Sequence, residues 1–296
     1  MQHSLSIIIP ALNEAESLSV LLPVLTGLYP EAEIIVVDDG SVDNTQDVCK
    51  KYPIRVITHN YSIGNGASIK SGARMASGEV YVFMDADGQH SPEDIDKLLA
   101  LMEEGYDMVV GARDFQSHAS IPRFIANLSY NRFASWVTGH KVKDLTSGFR
   151  AVRADKFREF IYMLPNGFSY PTTITMAMFR AGYKITYVPI EVKERTGKSH
   201  IRLFVDGVRF LLIIFKIGTL YTPLKLFFPC SLLFFITGIG YYAYTYITQG
   251  RFTNMGALLL LTSILVFLIG LISEQLTLLL YLHSKNHNSS SEESRD

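Results

Sequence analysis

Two aspartates, Asp85 and Asp87, stand directly behind the apolar run Glu79–Met84, with Gln89 and His90 following (FMDADGQH). A short apolar run of this kind reads as a buried strand. The carboxylates then fall at its C-terminal end, where open α/β sheets hold ligands. Two carboxylates and an amide carbonyl are hard oxygen donors, suited to Mg2+ or Mn2+ bridged to phosphate oxygens. An isolated Asp-x-Asp is equally a turn or a helix cap; its place after a strand, midway through an alternating pattern, favours the metal reading. A second acidic cluster, Asp38-Asp39-Gly40-Ser41, ends the run Glu33–Asp38 in the same way. An acid there can accept hydrogen bonds from a ribose or a base edge or cap the helix starting near Asp43, and neighbouring residues can divide those roles. Pro10–Glu14 would complete a nucleotide pocket or form only a strand-to-helix turn.

These residues need a scaffold, and from Leu5 to Gly111 the pattern supplies one. Short apolar runs at Leu5–Pro10, Glu33–Asp38, Ile54–Thr58, Glu79–Met84 and Asp107–Gly111 alternate with helical stretches at Glu14–Leu28, Asp43–Tyr52, Asn65–Ala76 and Pro92–Glu104. Such alternation predicts an α/β domain with a largely parallel sheet covered by helices. Ser91-Pro92-Glu93-Asp94 reads as a helix start, with a capping serine, proline at the first helical position and acids in the first turn. Ile63-Gly64-Asn65-Gly66-Ala67 is no dinucleotide fingerprint, because Ile69 occupies the third glycine's place; it predicts a tight turn opening a helix. From Ile121 to Gly182 the pattern is helical and broken by loops, followed by a strand at Lys184–Val192 and a basic loop at Lys193–His200.

The net charge of −1 excludes a broad nucleic-acid surface. Cys49 and Cys230, the chain's two cysteines, give no disulfide framework or zinc site. Met1–Ser4 lead straight into a strand pattern, so no signal peptide is expected. The last third is different. Leu226–Ile247 carries no charge and is long enough for a bilayer core of roughly 30 Å, which needs about 20 helical residues. Thr248–Asn254 is a short polar loop, and Met255–Leu282 is a second span with Glu274 near its far end. Two spans joined by a short loop predict a hairpin. Lys216, Lys225 and Lys285 flank its outer ends and Arg251 lies in its loop, which places the preceding domain in the cytoplasm, at the inner membrane of a cell. Residues 201–222 carry Arg202, Arg209 and Lys216 near one helical face, predicting an amphipathic segment at the headgroups or a plain connecting helix. The expected organisation is a catalytic domain over 1–200, this segment, spans within 223–283, and a polar, disordered tail over 284–296.

Two polar segments of the second half offer cations for phosphate: Asp144–Arg150 (DLTSGFR) and Arg195–His200 (RTGKSH). Taken in order, SIIIPALNE, VVDDGS, GNGASIKSG, FMDADGQHSPEDI, DLTSGFRAVR and RTGKS resemble glycosyltransferase family 2. With its hairpin, the chain is similar to that family's polyprenyl-phosphate glycosyltransferases, the group of dolichol-phosphate mannosyltransferases and undecaprenyl-phosphate glucosyltransferases. The resemblance runs from the first strand through the last span.

It implies a GT-A, Rossmann-like fold, an inverting transfer and a divalent metal, Mg2+ or Mn2+. Pro10, Leu12, Glu14, Val37 and Asp39, joined by Asp85 and Ala86, match positions around the nucleotide sugar, while Asp85, Asp87 and Gln89 match those around the metal. Arg113 matches an arginine facing acceptor phosphate, Ser147 and Arg195 match further active-site positions, and Asp144 matches a carboxylate with a possible catalytic role. Leu12 stands where tyrosine is frequent, and His200 where lysine is usual, with Lys198 beside it as a substitute. A second phosphate-binding arginine falls on either Arg123 or Arg132.

The implied reaction moves a sugar from UDP-hexose or GDP-mannose to undecaprenyl or dolichyl phosphate at the membrane. Transfer to another lipid or a polysaccharide is the alternative, although the Gln-x-x-Arg-Trp motif of processive synthases is absent: Phe133-Ala134-Ser135 precede Trp136. A non-catalytic membrane scaffold of the same fold is a third reading. The sequence leaves open whether the chain forms a homo-oligomer.

Overall fold

The computed structural model describes residues 4–113, 121–167, 170–191, 215, 218–219, 222–251 and 253–292, without the side chains of 121–127 and 280–292. Arg195, Lys198, the side chain of Arg123 and nearly all of the segment 201–222 therefore lie outside the described residues. Two compact units divide near Gly207.

In the first unit the apolar runs become strands: Leu5–Ala11 (β1), Glu33–Asp38 (β2), Arg55–Thr58 (β3), Val80–Phe83 (β4) and Met108–Arg113 (β5), then Arg150–Arg153 (β6) and Ile185–Ile190 (β7). Helices Ala15–Leu28 (α1), Thr45–Cys49 (α2), Asn65–Met75 (α3), Asp94–Glu103 (α4), Ile121–Thr138 (α5), Ala154–Phe160 (α6) and Tyr170–Arg180 (α7) connect them. All the strands join one sheet in the order β3-β2-β1-β4-β6-β5-β7. Ile7, Ile8, Ile9, Val36 and Val37 are fully buried because both faces are covered. Ile7, Ile9, Val36 and Val82 share a core with Leu18, Leu22 and Leu25 of α1 and with Ile95 and Leu98 of α4. On the other face α3 comes close enough that a Cβ on Gly72 would lie 2.4 Å from Ile8 Cγ2, so only glycine fits this crossing. Tyr81, Phe83, Phe157 and Tyr170 extend that face as a chain of ring contacts with centroids 4.7–6.1 Å apart for Phe83–Phe157, Tyr81–Phe157 and Phe83–Tyr170.

Three elements differ from the sequence reading. β6 falls inside a stretch expected to be helix and loop, and it runs antiparallel to both β4 and β5. Its four residues, Arg-Ala-Val-Arg, are too short for alternation to register. α4 begins at Asp94 rather than Pro92: the Ser91 hydroxyl donates to the Glu93 carboxylate instead of capping an amide. The chain enters the helix through tighter i+3 bonds, Asp94 N–H to Ser91 O and Ile95 N–H to Pro92 O. The last helix continues to Glu292, into the polar stretch expected to be a disordered tail; extending a formed helix needs no new nucleus.

The second unit is a helical pair, Pro223–Gln249 (α8) and Asn254–Glu292 (α9). Gly250 ends α8 in the left-handed conformation, φ 65°, and donates to Tyr246 O. Both helices are long and apolar enough to cross a membrane. They meet through small and hydroxylated residues, as helices in lipid do. Ser231 and Ser263 each donate to the other's backbone carbonyl at 3.0 Å, and Gly238 and Gly270 lie against Leu260 and Phe227.

Candidate active site

The reversal of β6 has a consequence for chemistry. β1, β2 and β4 run parallel, so the segments after them emerge at one edge of the sheet. Because β6 points the other way, the loop preceding it, Asp144–Phe149, arrives at that same edge beside the ends of β4 and β5. A cleft of about 200 Å³ forms there, lined by Asp85, Asp87, Gln89 and His90 after β4, Arg113 at the end of β5, and Thr146, Ser147 and Gly148 before β6. Asn65 at the start of α3 and Tyr170 and Pro171 at the start of α7 complete it.

On one wall, Gly88 takes φ 69°, and the Asp87 carboxylate accepts the Gln89 N–H at 3.2 Å, so the segment folds back on itself. Gly148 packs so closely against Asp85 that a Cβ there would lie 2.8 Å from Asp85 Oδ2. His90 stacks on Phe149 with centroids 4.9 Å apart; burial lowers its pKa to about 4, so the ring is neutral at physiological pH. Two carboxylates and an amide at alternate positions on one turn form an oxygen donor set that fits Mg2+ or Mn2+ better than a softer metal.

Arg113 is the arginine in the cleft lining. Arg113 grips Asp144 in a fork, Nε to Oδ2 at 2.8 Å and Nη2 to Oδ1 at 3.1 Å, and also donates to the Thr146 hydroxyl at 2.5 Å. Asp144 also accepts the Thr146 and Ser147 amides, at 3.0 and 3.1 Å. Burial pushes its pKa upward, but the Arg113 guanidinium and the Thr146 donors outweigh that and hold it below the usual carboxylate range. Asn131 of α5 pins the same loop, accepting Leu145 N–H and donating to Lys143 O. Beneath the loop lies Arg150, with no exposed surface. It donates to the carbonyls of Ser147 and Pro171 and to the Thr175 hydroxyl, the last two at 3.0 Å.

The structure gathers Asp85, Asp87, Gln89, Arg113 and Ser147 at the cleft, with Asp144 behind Arg113. Pro10, Val37 and Ala86 are buried, whereas Leu12 is 44% exposed. The Glu14 N–H donates to Thr45 Oγ1, its carboxylate accepts from Ser17, and Arg132 is exposed on α5. Asp38 and Asp39 have separate structural roles. Asp38 accepts Ser41 N–H and the Gln46 amide. Asp39 accepts from His59 at 2.7 Å, Ser62 at 2.8 Å and the amides of Ile63 and Gly64 at 3.0 and 2.8 Å. Burial raises its pKa, but those donors more than offset it and hold the carboxyl low. Asn65, Thr146, Gly148, Tyr170 and Pro171 were not singled out individually by sequence reasoning. The compact DLTSGFR segment signals two of them; no motif signals Tyr170.

The chain belongs to glycosyl transferase family 2, whose model matches residues 6–161, and a second model, the GtrB C-terminal hairpin, matches residues 222–279. It is 29% identical over 205 residues to the dolichyl-phosphate hexose transferase of Haloferax volcanii, covering 69% of this chain and 89% of that one. It is 31% identical over 202 residues to the undecaprenyl-phosphate mannosyltransferase of Micrococcus luteus, covering 64% and 83% respectively. Its fold is similar to that of glucosyl-3-phosphoglycerate synthase from Mycobacterium tuberculosis, crystallised with Mn2+, UDP and phosphoglyceric acid, at a TM-score of 0.60 and 19% identity over 73% of this chain and 78% of that one.

Proposed function

We propose that this family 2 glycosyltransferase inverts a sugar's anomeric centre while moving it from a nucleotide-diphosphate sugar to a polyprenyl phosphate. The observation that carries this reading is the shared lining of one cleft, where two carboxylates and an amide meet a guanidinium and a hydroxyl-bearing loop. A phosphate monoester has a second pKa of about 6, so at neutral pH the acceptor is largely dianionic and needs no strong general base. Its oxygen attacks the anomeric carbon as the bond to the nucleotide diphosphate breaks. The enzyme's task is to bring two anions together.

Asp85, Asp87 and Gln89 would hold Mg2+ or Mn2+, which supplies positive charge for the departing diphosphate. Arg113 and Ser147 hold the acceptor phosphate. Asp144 acts as the positioning residue for Arg113 rather than as a base, since both its oxygens already accept hydrogen bonds. Asp39 contributes to the nucleotide side by fixing the backbone of 59–64. Arg195 and Lys198 remain part of the proposal as further cations for phosphate, with Arg123 or Arg132 as the second arginine. The relatives' names support a lipid-phosphate acceptor, and the apolar hairpin suits one whose hydrocarbon stays in the bilayer. Lys216, Lys225 and Lys285 at the outer ends against Arg251 in the loop give a small charge bias that supports a cytoplasmic catalytic unit.

The test is incubation of the purified chain with farnesyl phosphate and a panel of labelled UDP- and GDP-sugars. Label entering an acid-labile, organic-phase product is expected with one donor. Label confined to water-soluble products across the panel would refute the acceptor class.

A further inference from the structure

Arg150 is the one fully buried Lys or Arg among the described residues. Every acceptor it meets is neutral: the Ser147 and Pro171 carbonyls, the Thr175 hydroxyl and, at 3.9 Å, the Met108 sulfur. Among the described residues its Nε has no hydrogen-bond partner, and the Tyr170 ring lies 5.9 Å from the guanidinium. Arginine stays protonated in proteins, so a positive charge sits beneath the cleft-lining loop without an ion pair among the described residues, and the Asp144 and Asp85 carboxylates act on it only from a distance. A buried charge that carboxylates reach only from a distance is costly, and an anion bound in the cleft would add to its compensation.

The surrounding geometry indicates where. Arg150 holds the Ser147 carbonyl inward. No peptide bond among the described residues is cis, and a trans peptide points its N–H opposite its C=O. The Gly148 N–H is therefore turned away from Arg150, towards the cleft that Gly148 lines. No protein acceptor takes that N–H among the described residues. On the next peptide, the Tyr170 hydroxyl donates to Gly148 O at 3.2 Å, so both planes flanking the glycine are braced.

We propose that Arg150 is a positioning residue for phosphate: it fixes the Ser147–Gly148 peptide so that the Gly148 N–H meets a phosphate oxygen bound in the cleft, and the arriving anion compensates its buried charge. The inference deepens the proposed transfer and rests on it. The phosphate belongs either to the lipid acceptor or to the nucleotide donor, and separate probes distinguish the two. The geometry resembles an oxyanion hole with the charge behind the peptide.

The experiment compares full-length wild type, Arg150→Gln and Arg150→Lys in detergent, with farnesyl phosphate, farnesol, and UDP or GDP with Mn2+ as probes. Affinity for one phosphate probe should fall about tenfold or more in Arg150→Gln and less in Arg150→Lys, with farnesol unaffected. Loss confined to farnesyl phosphate identifies the acceptor, and loss confined to the nucleotide identifies the donor. The phosphate-induced rise in melting midpoint should vanish in Arg150→Gln; a purely structural arginine would lower the ligand-free midpoint and leave that rise intact. A folded Arg150→Gln chain binding both phosphates as wild type does would overturn the proposal.

Should Arg150→Gln fail to fold, wild type labelled with 15N-glycine gives the answer, the Gly148 resonance being assigned by its loss in Gly148→Ala. A shift with a phosphate probe and none with farnesol supports the role, and an unmoved resonance with both phosphates overturns it. A wild type that binds farnesyl phosphate but transfers no sugar would refute the transfer reading and leave this role standing.

Discussion

The two halves of the sheet treat buried charge in opposite ways. Around β1–β3, each acid is satisfied within the protein. Asp39 takes four donors from His59 to Gly64, and His59 passes its other ring nitrogen to Ser71 at 2.9 Å. The Asn13 N–H bonds to the Ser41 hydroxyl and its side chain accepts Val42 N–H, locking the loops after β1 and β2 together. Around β6, Arg113 is paired with Asp144 yet still lines the cleft, and Arg150 makes no hydrogen bond to a carboxylate among the described residues. One half is a self-satisfied frame; the other holds positive charge in reserve. A site that must gather phosphates is expected in the second.

The contrast can be broken by substitution. The largest expected effect is at the metal wall: Asp87→Ala should reduce transfer by about 10²–10³-fold, with an unchanged melting midpoint and weakened Mn2+ binding. Near-normal turnover would remove the carboxylate from the chemistry. Next, Arg113→Ala should lower kcat/KM for the lipid phosphate by about 10²-fold while leaving KM for the nucleotide sugar within a fewfold. Asp144→Asn should show the same selectivity at about tenfold and lose about 1–3 kcal/mol of stability in denaturant titrations, because the fork is broken.

On the frame side the selectivity reverses. Asp39→Asn should cost about 1–3 kcal/mol of stability and affect the nucleotide-sugar KM before the lipid-phosphate KM, as the backbone of 59–64 loosens. The smallest effect is the pH response. Asp39 and Asp144 both have depressed carboxyl pKa values in the folded chain. Their stabilisation is fully present above the unfolded carboxylate pKa of about 3.9 and is lost as pH falls through the folded values. Melting midpoints from neutral to acid should therefore fall below about pH 4, more shallowly in the Asp39→Asn, Asp144→Asn double variant.

Much of this organisation can be read in the sequence because it depends on local pattern. β1, β2 and β4 are continuous apolar runs, and Asp85 and Asp87 follow a strand end directly, so their common edge can be inferred without coordinates. What escapes is long-range or directional. β6 is four residues long, and neither its insertion between β4 and β5 nor its reversed direction leaves a period to detect. Arg113 and Asp144 are 31 residues apart, and a fork between them is a tertiary fact. The inward course of Arg150 runs against the rule that arginine is rarely buried without a partner. The division of labour between Asp38 and Asp39 depends on the strand pleat, which sends neighbouring side chains to opposite faces. Tyr170 reaches Gly148 from another helix with no motif to announce it.

The most direct measurement is sugar transfer by the purified chain to farnesyl phosphate and to farnesol, each with Mn2+ and again after exhaustive chelation. A guanidinium and a set of oxygen donors in one cleft predict turnover only with the phosphate and the metal together. Equal turnover with the alcohol, or undiminished turnover after chelation, would contradict the account.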